Sequence, residues 1–343
     1  VQFKSKGWLG AHTRIGIGVV LFAVLSSVAS LGWEPISYER IMTSVALTED
    51  ETVTPKRKIR YHAPTHVLPE NAWVDSTLAT LTLPEKIGQL FMVATYSNKD
   101  EGHYRQVDKL IQDYHIGGLI FFQGGPYRQA RLTNRYQANS KVPLLIGIDA
   151  EWGLGMRLDS TISYPRQMAL GAIQKDELIY EMGIDIANQC RRMGIHINFA
   201  PVVDVNSNPK NPVIGTRAFG EDLGNVLRKS KAYMKGLQDG GVIATAKHFP
   251  GHGDTDSDSH YTLPVLTHTV DEIYQTDLAI YQSMIRDSLM GVLSGHLFVP
   301  ALDSSHQTPS SLSDKIINGI LRKELGFRGL VFTDAMNMRG VLR

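Results

Sequence analysis

Residues 247–260 read KHFPGHGDTDSDSH and set a lysine, three histidines and three aspartates between two apolar runs. A core cannot bury so many ionisable groups without partners, so the stretch is either a solvated loop or an active site. Gly251 and Gly253 flank His252 behind Pro250, which suits a tight loop with left-handed backbone angles and close approach of backbone to a ligand. The preceding run 242–246 (VIATA) is short, apolar and partly β-branched, as a buried parallel strand is. Other strand candidates end in groups of the same kind: Asp149 and Glu151 after strand three, Asp204 after four, Lys247 and His248 after five, His296 after six and Asp334 after seven. Carboxylates, guanidinium groups and imidazoles around one pocket suit an uncharged, polyhydroxylated substrate such as a sugar, or a metal site.

The elements that must position these groups alternate. Apolar strand candidates fall at 90–95, 118–122, 144–148, 197–203, 242–246, 291–294 and 330–333. Helical patterns fall at 104–114, 126–139, 176–193, 225–239, 270–287 and 314–325. Repeated strand and helix imply a parallel α/β sheet with right-handed crossovers. Strand ends that all carry polar groups suggest a (β/α)8 TIM-type barrel, with a doubly wound open sheet as the alternative. No eighth strand follows, and the sequence stops nine residues after Asp334, so the expectation is a barrel truncated after strand seven, part of a longer protein.

The 343 residues suffice for one catalytic domain plus extensions, expected over 74–343. A formal net charge of +1 argues against a dedicated nucleic-acid binder. The lone cysteine, Cys190, sits in a helical pattern and reads as a structural thiol. Ahead of the domain, Lys4, Lys6 and Arg14 precede an uncharged stretch, 15–32, ending in small residues. That describes a secretory signal peptide, and its length also permits a membrane anchor, so segment 1–32 is assigned to either. Residues 33–73 are mixed and polar, without sustained period, and read as a linker.

A divalent-metal hydrolase centre built from His248, His252, His260, His296 and nearby aspartates is the competing reading. The spacing lacks the close histidine pair at the end of the first strand that such barrels often use. Asp254, Asp256 and Asp258 imitate the start of a calcium loop, but Ser259 stands where its glycine belongs and Val265 where its bidentate glutamate belongs. There is no GxSxG elbow, no GxxxxGK[ST] and no GxGxxG after a strand.

KHFPGHGDTDSDSH, together with GIDAEWGLGMR, GTRAFG and VFTDAMNM, resembles the β-N-acetylglucosaminidase branch of glycoside hydrolase family 3, the NagZ-like enzymes. The resemblance runs from about residue 83 to 343, with the motifs in family order. It implies a (β/α)8 barrel that removes terminal β-linked N-acetylglucosamine with retention and without cofactor or metal, from cell-wall fragments, muropeptides or chitin-type oligosaccharides. Carried over by position, it makes Asp334 the nucleophile, and Asp258 with His260 the acid/base dyad. Asp149, Arg157, Arg217, Lys247 and His248 become the residues that bind the sugar. Trp152 and Leu154 depart from the common DxEGGR pattern, while Arg157 remains. The roles make chemical sense: a retaining glycosidase needs a carboxylate at the anomeric carbon and a proton donor at the leaving oxygen. A histidine oriented by an aspartate can be that donor near neutral pH. A catalytically inactive sugar-binding domain is the weaker alternative, since every reactive position is filled.

The basic flank and apolar run predict export to the periplasm or medium, with membrane association if the segment is retained. Cell fractionation checks this: the protein should be found outside the cytosol, and full-length, uncleaved protein in the cytosol would contradict it.

Overall fold

The computed structural model describes residues 71–256, 262–305 and 307–341. The expected signal or anchor segment and nearly all of the expected linker lie outside them. The Asn71 side chain accepts from the N–H groups of Trp73 and Val74, opening α1 (Ala72–Thr80) just ahead of the boundary placed at residue 74. A reciprocal Thr82–Glu85 capping box with Pro84 in the first turn starts α2 (Leu83–Gly88).

Seven strands follow: β1 (Met92–Thr95), β2 (Gly118–Phe121), β3 (Leu145–Ile148), β4 (Ile197–Asn198), β5 (Ile243–Phe249), β6 (Gly291–Ser294) and β7 (Leu330–Thr333). Each pairs in parallel with the next in chain order. That order separates the two expected folds, because a doubly wound sheet reverses direction at a switch point and a barrel does not. The sheet is a curled TIM-type barrel wall with β1 and β7 as its edges among the described residues.

The crossovers are α3 (Glu101–Tyr114), α4 (Pro126–Asn139), α5 (Gln167–Gly171), α6 (Asp176–Arg192), α7 (Leu223–Asp239), and α8 (Val270–Gln275) with α9 (Asp277–Arg286). Their apolar faces close an outer core over the sheet, with Ile111, Tyr136, Ile186, Met234 and Tyr281 fully buried. A smaller inner cluster joins Ile197, Phe199 and Leu293, against which Met92, Ile120, Ile243 and Phe332 pack. Phe199 meets Phe332 edge-to-face at 5.1 Å.

Beyond shifts of a few residues at element ends, the structure departs from the pattern reading in four places, each for a local reason. Strand four stops at Asn198 rather than running to 203, because Pro201 has no N–H for a ladder; Val202 makes only an isolated bridge to Lys247. Strand five runs on to Phe249, so Lys247 and His248 belong to the strand and not to the loop after it. The helical pattern 270–287 breaks at Thr276, whose hydroxyl bonds back to the Glu272 carbonyl and whose backbone leaves the helical region. Residues Lys315–Glu324 wind with wide π turns, ending in a Leu325 N–H to Ile320 carbonyl bond.

α6 and α7 approach closely where Gly183 and Gly236 face each other: a Cβ on Gly236 would sit 2.2 Å from the Tyr180 carbonyl oxygen and 2.9 Å from the Gly183 Cα. Both obstacles are backbone, so the helices would have to part. Gly236→Val should cost at least the ~1–3 kcal/mol typical of overpacking, read as a lower urea midpoint. An unchanged midpoint would show that the helices part freely.

Candidate active site

The ends of β3 and β5 meet through one cation. Lys247, 3% exposed, places Nζ 2.9 Å from Asp149 Oδ1 and 2.8 Å from Glu151 Oε1. Glu151 also receives a bidentate grip from Arg217, with Nε to Oε2 at 3.0 Å and Nη2 to Oε1 at 2.7 Å. Arg157 Nη2 donates to the second Asp149 oxygen at 2.7 Å. Three cations thus close on two carboxylates, and the strand ends carry the pairs because a rigid ladder holds each side chain in register.

His248 belongs to a second carboxylate. Its Nδ1 lies 2.8 Å from Asp204 Oδ2, and its Nε2 lies 3.4 Å from Arg217 Nη2. A carboxylate can only accept, so the Nδ1–H of His248 donates to Asp204. Asp204 also accepts the backbone N–H groups of His248 and, at 2.8 Å, His252. The Asp204 carboxylate, in the connection after β4, therefore anchors the loop that leaves β5.

That loop is held at several further points. Asn211 Nδ2 donates to the carbonyls of His252 at 2.8 Å and Gly253 at 3.2 Å. Asp254 takes the Ser207 hydroxyl at 3.0 Å and stands 3.0 Å from His268 Nε2. Gly251 has φ +146°, and a Cβ there would run into the Asp277 carboxyl. Gly253 serves a different need from the expected left-handed turn: a Cβ would lie 1.7 Å from the Val205 carbonyl oxygen, so only glycine lets the two loops touch.

The electrostatics follow from burial opposed by pairing. Burial alone would raise the Asp149 and Glu151 carboxyls, yet Lys247 with Arg157, and Lys247 with Arg217, outweigh it and hold both below the usual carboxylate range. Burial would likewise lower Lys247, and the two carboxylates keep it above the ordinary lysine range. Asp204 is buried and still held low, chiefly by His248. Burial, aided by His248, pushes His252 down to about 4. Asp277 behaves oppositely: burial, with the charge on Asp204, raises it to about 7.

Asp149, Arg157, Arg217, Lys247 and His248 are thus brought together in one network. Asp334 follows β7, half-buried, with its N–H bonded to the Ser294 carbonyl at 2.9 Å and its carboxylate accepting from the Ala335 N–H at 2.8 Å. Asp258 and His260 lie outside the described residues. His296 is engaged with the Ser311 hydroxyl and the Ala335 carbonyl. Among the described residues no three His, Cys, Asp or Glu side chains group as a metal site. Glu151 and Asp204 had drawn notice only as polar strand ends; their joining roles, and that of Asn211, depend on partners distant in sequence.

The sequence matches the family model described as Glycosyl hydrolase family 3 N terminal domain over residues 82–343. It is 36% identical over 297 residues to the Beta-hexosaminidase A of Pseudoalteromonas piscicida, covering 76% of this chain and 50% of that protein. It is 31% identical to the Beta-N-acetylglucosaminidase/beta-glucosidase of Cellulomonas fimi, covering 79% and 49%. A solved glycoside hydrolase family 3 β-N-acetylglucosaminidase from Paenibacillus sp. str. FPU-7 superposes with a TM-score of 0.71 at 39% identity, covering 76% of this chain and 51% of that one. The chain therefore spans about half the length of these relatives.

Lys247→Met keeps the stem and removes the charge, leaving Asp149 and Glu151 partly uncompensated. Breaking a buried pair in this way costs roughly 3–5 kcal/mol. Both carboxylates are depressed in the folded protein, so their contribution is present above their unfolded pKa values near 4 and is lost as pH falls. Without Lys247 that depression weakens, so the deficit should hold from about pH 7 to about pH 4 and shrink only below about pH 4, as the carboxylates protonate. Urea unfolding at about pH 6 and about pH 3 measures it, and a deficit unchanged at the lower pH would show that the loss is packing alone.

Proposed function

The chain belongs to the glycosyl hydrolase family 3 N-terminal domain family, and from that premise we propose that it is the catalytic part of a retaining β-N-acetylglucosaminidase acting on terminal β-linked N-acetylglucosamine of cell-wall fragments or chitin-type oligosaccharides. The observation that carries the reading is the Lys247 bridge between Asp149 and Glu151, flanked by Arg157, Arg217 and His248. Its charges are nearly balanced and its donors and acceptors are held in fixed directions, which suits hydroxyl and amide groups of a neutral sugar better than an ionic substrate.

Asp334 attacks the anomeric carbon and carries the glycosyl group. Its backbone bond to Ser294 and its position at the end of β7 support the tight placement a nucleophile needs. His260, oriented by Asp258, gives its proton to the leaving oxygen and then takes one from water. The anchored stem 248–254, tied down by Asp204 and Asn211, supports a defined origin for the segment that carries this pair. The domain limits 74–343 and export of the protein belong to the same reading. Among the described residues no helix is long and apolar enough to cross a membrane, and the segment on which export rests, 1–32, lies outside them.

The names of the Cellulomonas fimi and Paenibacillus proteins support N-acetylglucosamine, while the double name of the first makes glucose the competitor to test. In the complete protein, kcat/KM should favour the aryl N-acetylglucosaminide over the aryl glucoside, and chelation should leave activity intact. Equal values would refute the sugar assignment, and loss on chelation with recovery on zinc would favour the metal reading. His260→Ala should slow natural disaccharides by roughly 100-fold to 10,000-fold, because an alkoxide leaves poorly without a proton. Glycosylation by an aryl glycoside with an acidic phenol should suffer much less, while Asp334→Ala should disable both. Equal losses on good and poor leaving groups in a folded His260→Ala protein would end the dyad assignment.

A further inference from the structure

Among the described residues, Arg157 reaches Asp149 through Nη2 alone and its buried Nε has no hydrogen-bond partner. One ion pair leaves a guanidinium free to swivel about the contact, so something else must set its plane. That contact is aromatic: the Arg157 Cζ stands 4.7 Å from the centroid of the Phe122 ring, just past β2. Phe122 is in turn backed by Tyr96, just past β1, with ring centroids 6.1 Å apart.

The backbone beneath these rings is fastened across three successive loops. The Phe122 N–H donates to the Thr95 carbonyl at 3.0 Å, and the Ser97 N–H donates to the Gln123 carbonyl at 2.8 Å. Gly124 and Leu158 form a parallel bridge, and the Asp159 N–H donates to the Gly124 carbonyl at 2.8 Å. Gly124, at φ +140°, has no room for a Cβ, which would fall 1.8 Å from the Ser97 hydroxyl. Arg128 ties the same loops from outside, with Nε to the Ser97 carbonyl at 3.0 Å and Nη2 to Asp159 at 2.6 Å. Phe122 therefore cannot drift away from Arg157 without opening three loops.

We propose that Phe122 is the positioning residue for Arg157, fixing the guanidinium plane so that Arg157 and Asp149 present an adjacent donor and acceptor to neighbouring hydroxyls of the sugar. The inference rests on the sugar-binding reading above and adds the residue that sets its geometry. Asp149 is held from one side by Lys247 and from the other by Arg157, so a guanidinium that swivels releases one carboxylate oxygen as well. The effect falls on binding of the ground state and the transition state alike, hence on KM more than on kcat.

The test is a double-mutant cycle in the complete protein on the aryl N-acetylglucosaminide. Phe122→Leu keeps apolar bulk and removes the ring; its KM should rise roughly 2-fold to 30-fold, the range of a cation–π contact, with kcat little changed. Phe122→Tyr should restore the wild-type KM. In an Arg157→Met background, Phe122→Leu should add nothing, since the group it positions is gone. Additive losses in the two backgrounds, or a Phe122→Leu protein with wild-type KM, would overturn the inference while leaving the glycosidase reading intact. A wild-type protein without activity on the glycoside would refute that reading and this inference with it.

Discussion

The constraint on which the site depends is the burial of Lys247. An ammonium taken out of water costs far more than folding can spare unless carboxylates meet it, so Asp149 and Glu151 must come to it together. Two carboxylates on one lysine leave one negative charge over; Arg157 and Arg217 more than cover it, and the nearby Asp204 carboxylate offsets the surplus. Asp149, Glu151 and Arg157 follow β3, Arg217 follows β4 and Lys247 lies on β5, and the barrel is the frame that brings these three stretches to one face. The network is held together by its own ion pairs, which is the fixed arrangement that the proposed sugar cradle requires.

A second layer converts that fixed centre into a fixed loop. Asp204 orients His248 and also accepts the His252 backbone, so the imidazole at the centre and the departure of the loop share one anchor. Gly253 lets the loop lie directly on Val205, and Asn211 bonds two successive carbonyls of it. Asp277, packed against Gly251 and raised to about 7, adds a group whose charge repels Asp204. Raised in the folded state, it favours folding below its unfolded pKa near 4 and withdraws that help as pH rises through about 7. His252, lowered to about 4, does the reverse: its help is present above its unfolded value near 6.5 and fades as pH falls. The loop stem thus feels opposed titrations on its two sides.

Much of this was readable from residue order. The strands at 291–294 and 330–333 and the helix at 126–139 fall where apolar pattern and turn residues set them, because short buried strands and an amphipathic helix advertise themselves locally. Family motifs marked Asp149, Arg157, Arg217, Lys247 and His248, and the fold joins them. What pattern could not supply was pairing. Nothing local says that Glu151 is shared by Lys247 and Arg217, or that Asn211 braces a loop some forty residues on. The early end of strand four was missed because apolar residues continue past Pro201, and the break at Thr276 because a single hydroxyl competing for a carbonyl leaves the helical period intact.

The central claim is that the Lys247 network is a preassembled sugar cradle. A structure determined with N-acetylglucosamine bound tests it most directly. Sugar hydroxyls should lie within hydrogen-bond distance of Asp149, Arg157 and Lys247 while the Lys247–Glu151 and Arg217–Glu151 pairs stay as they are. Sugar bound elsewhere on the barrel, or bound here only after those pairs come apart, would contradict it.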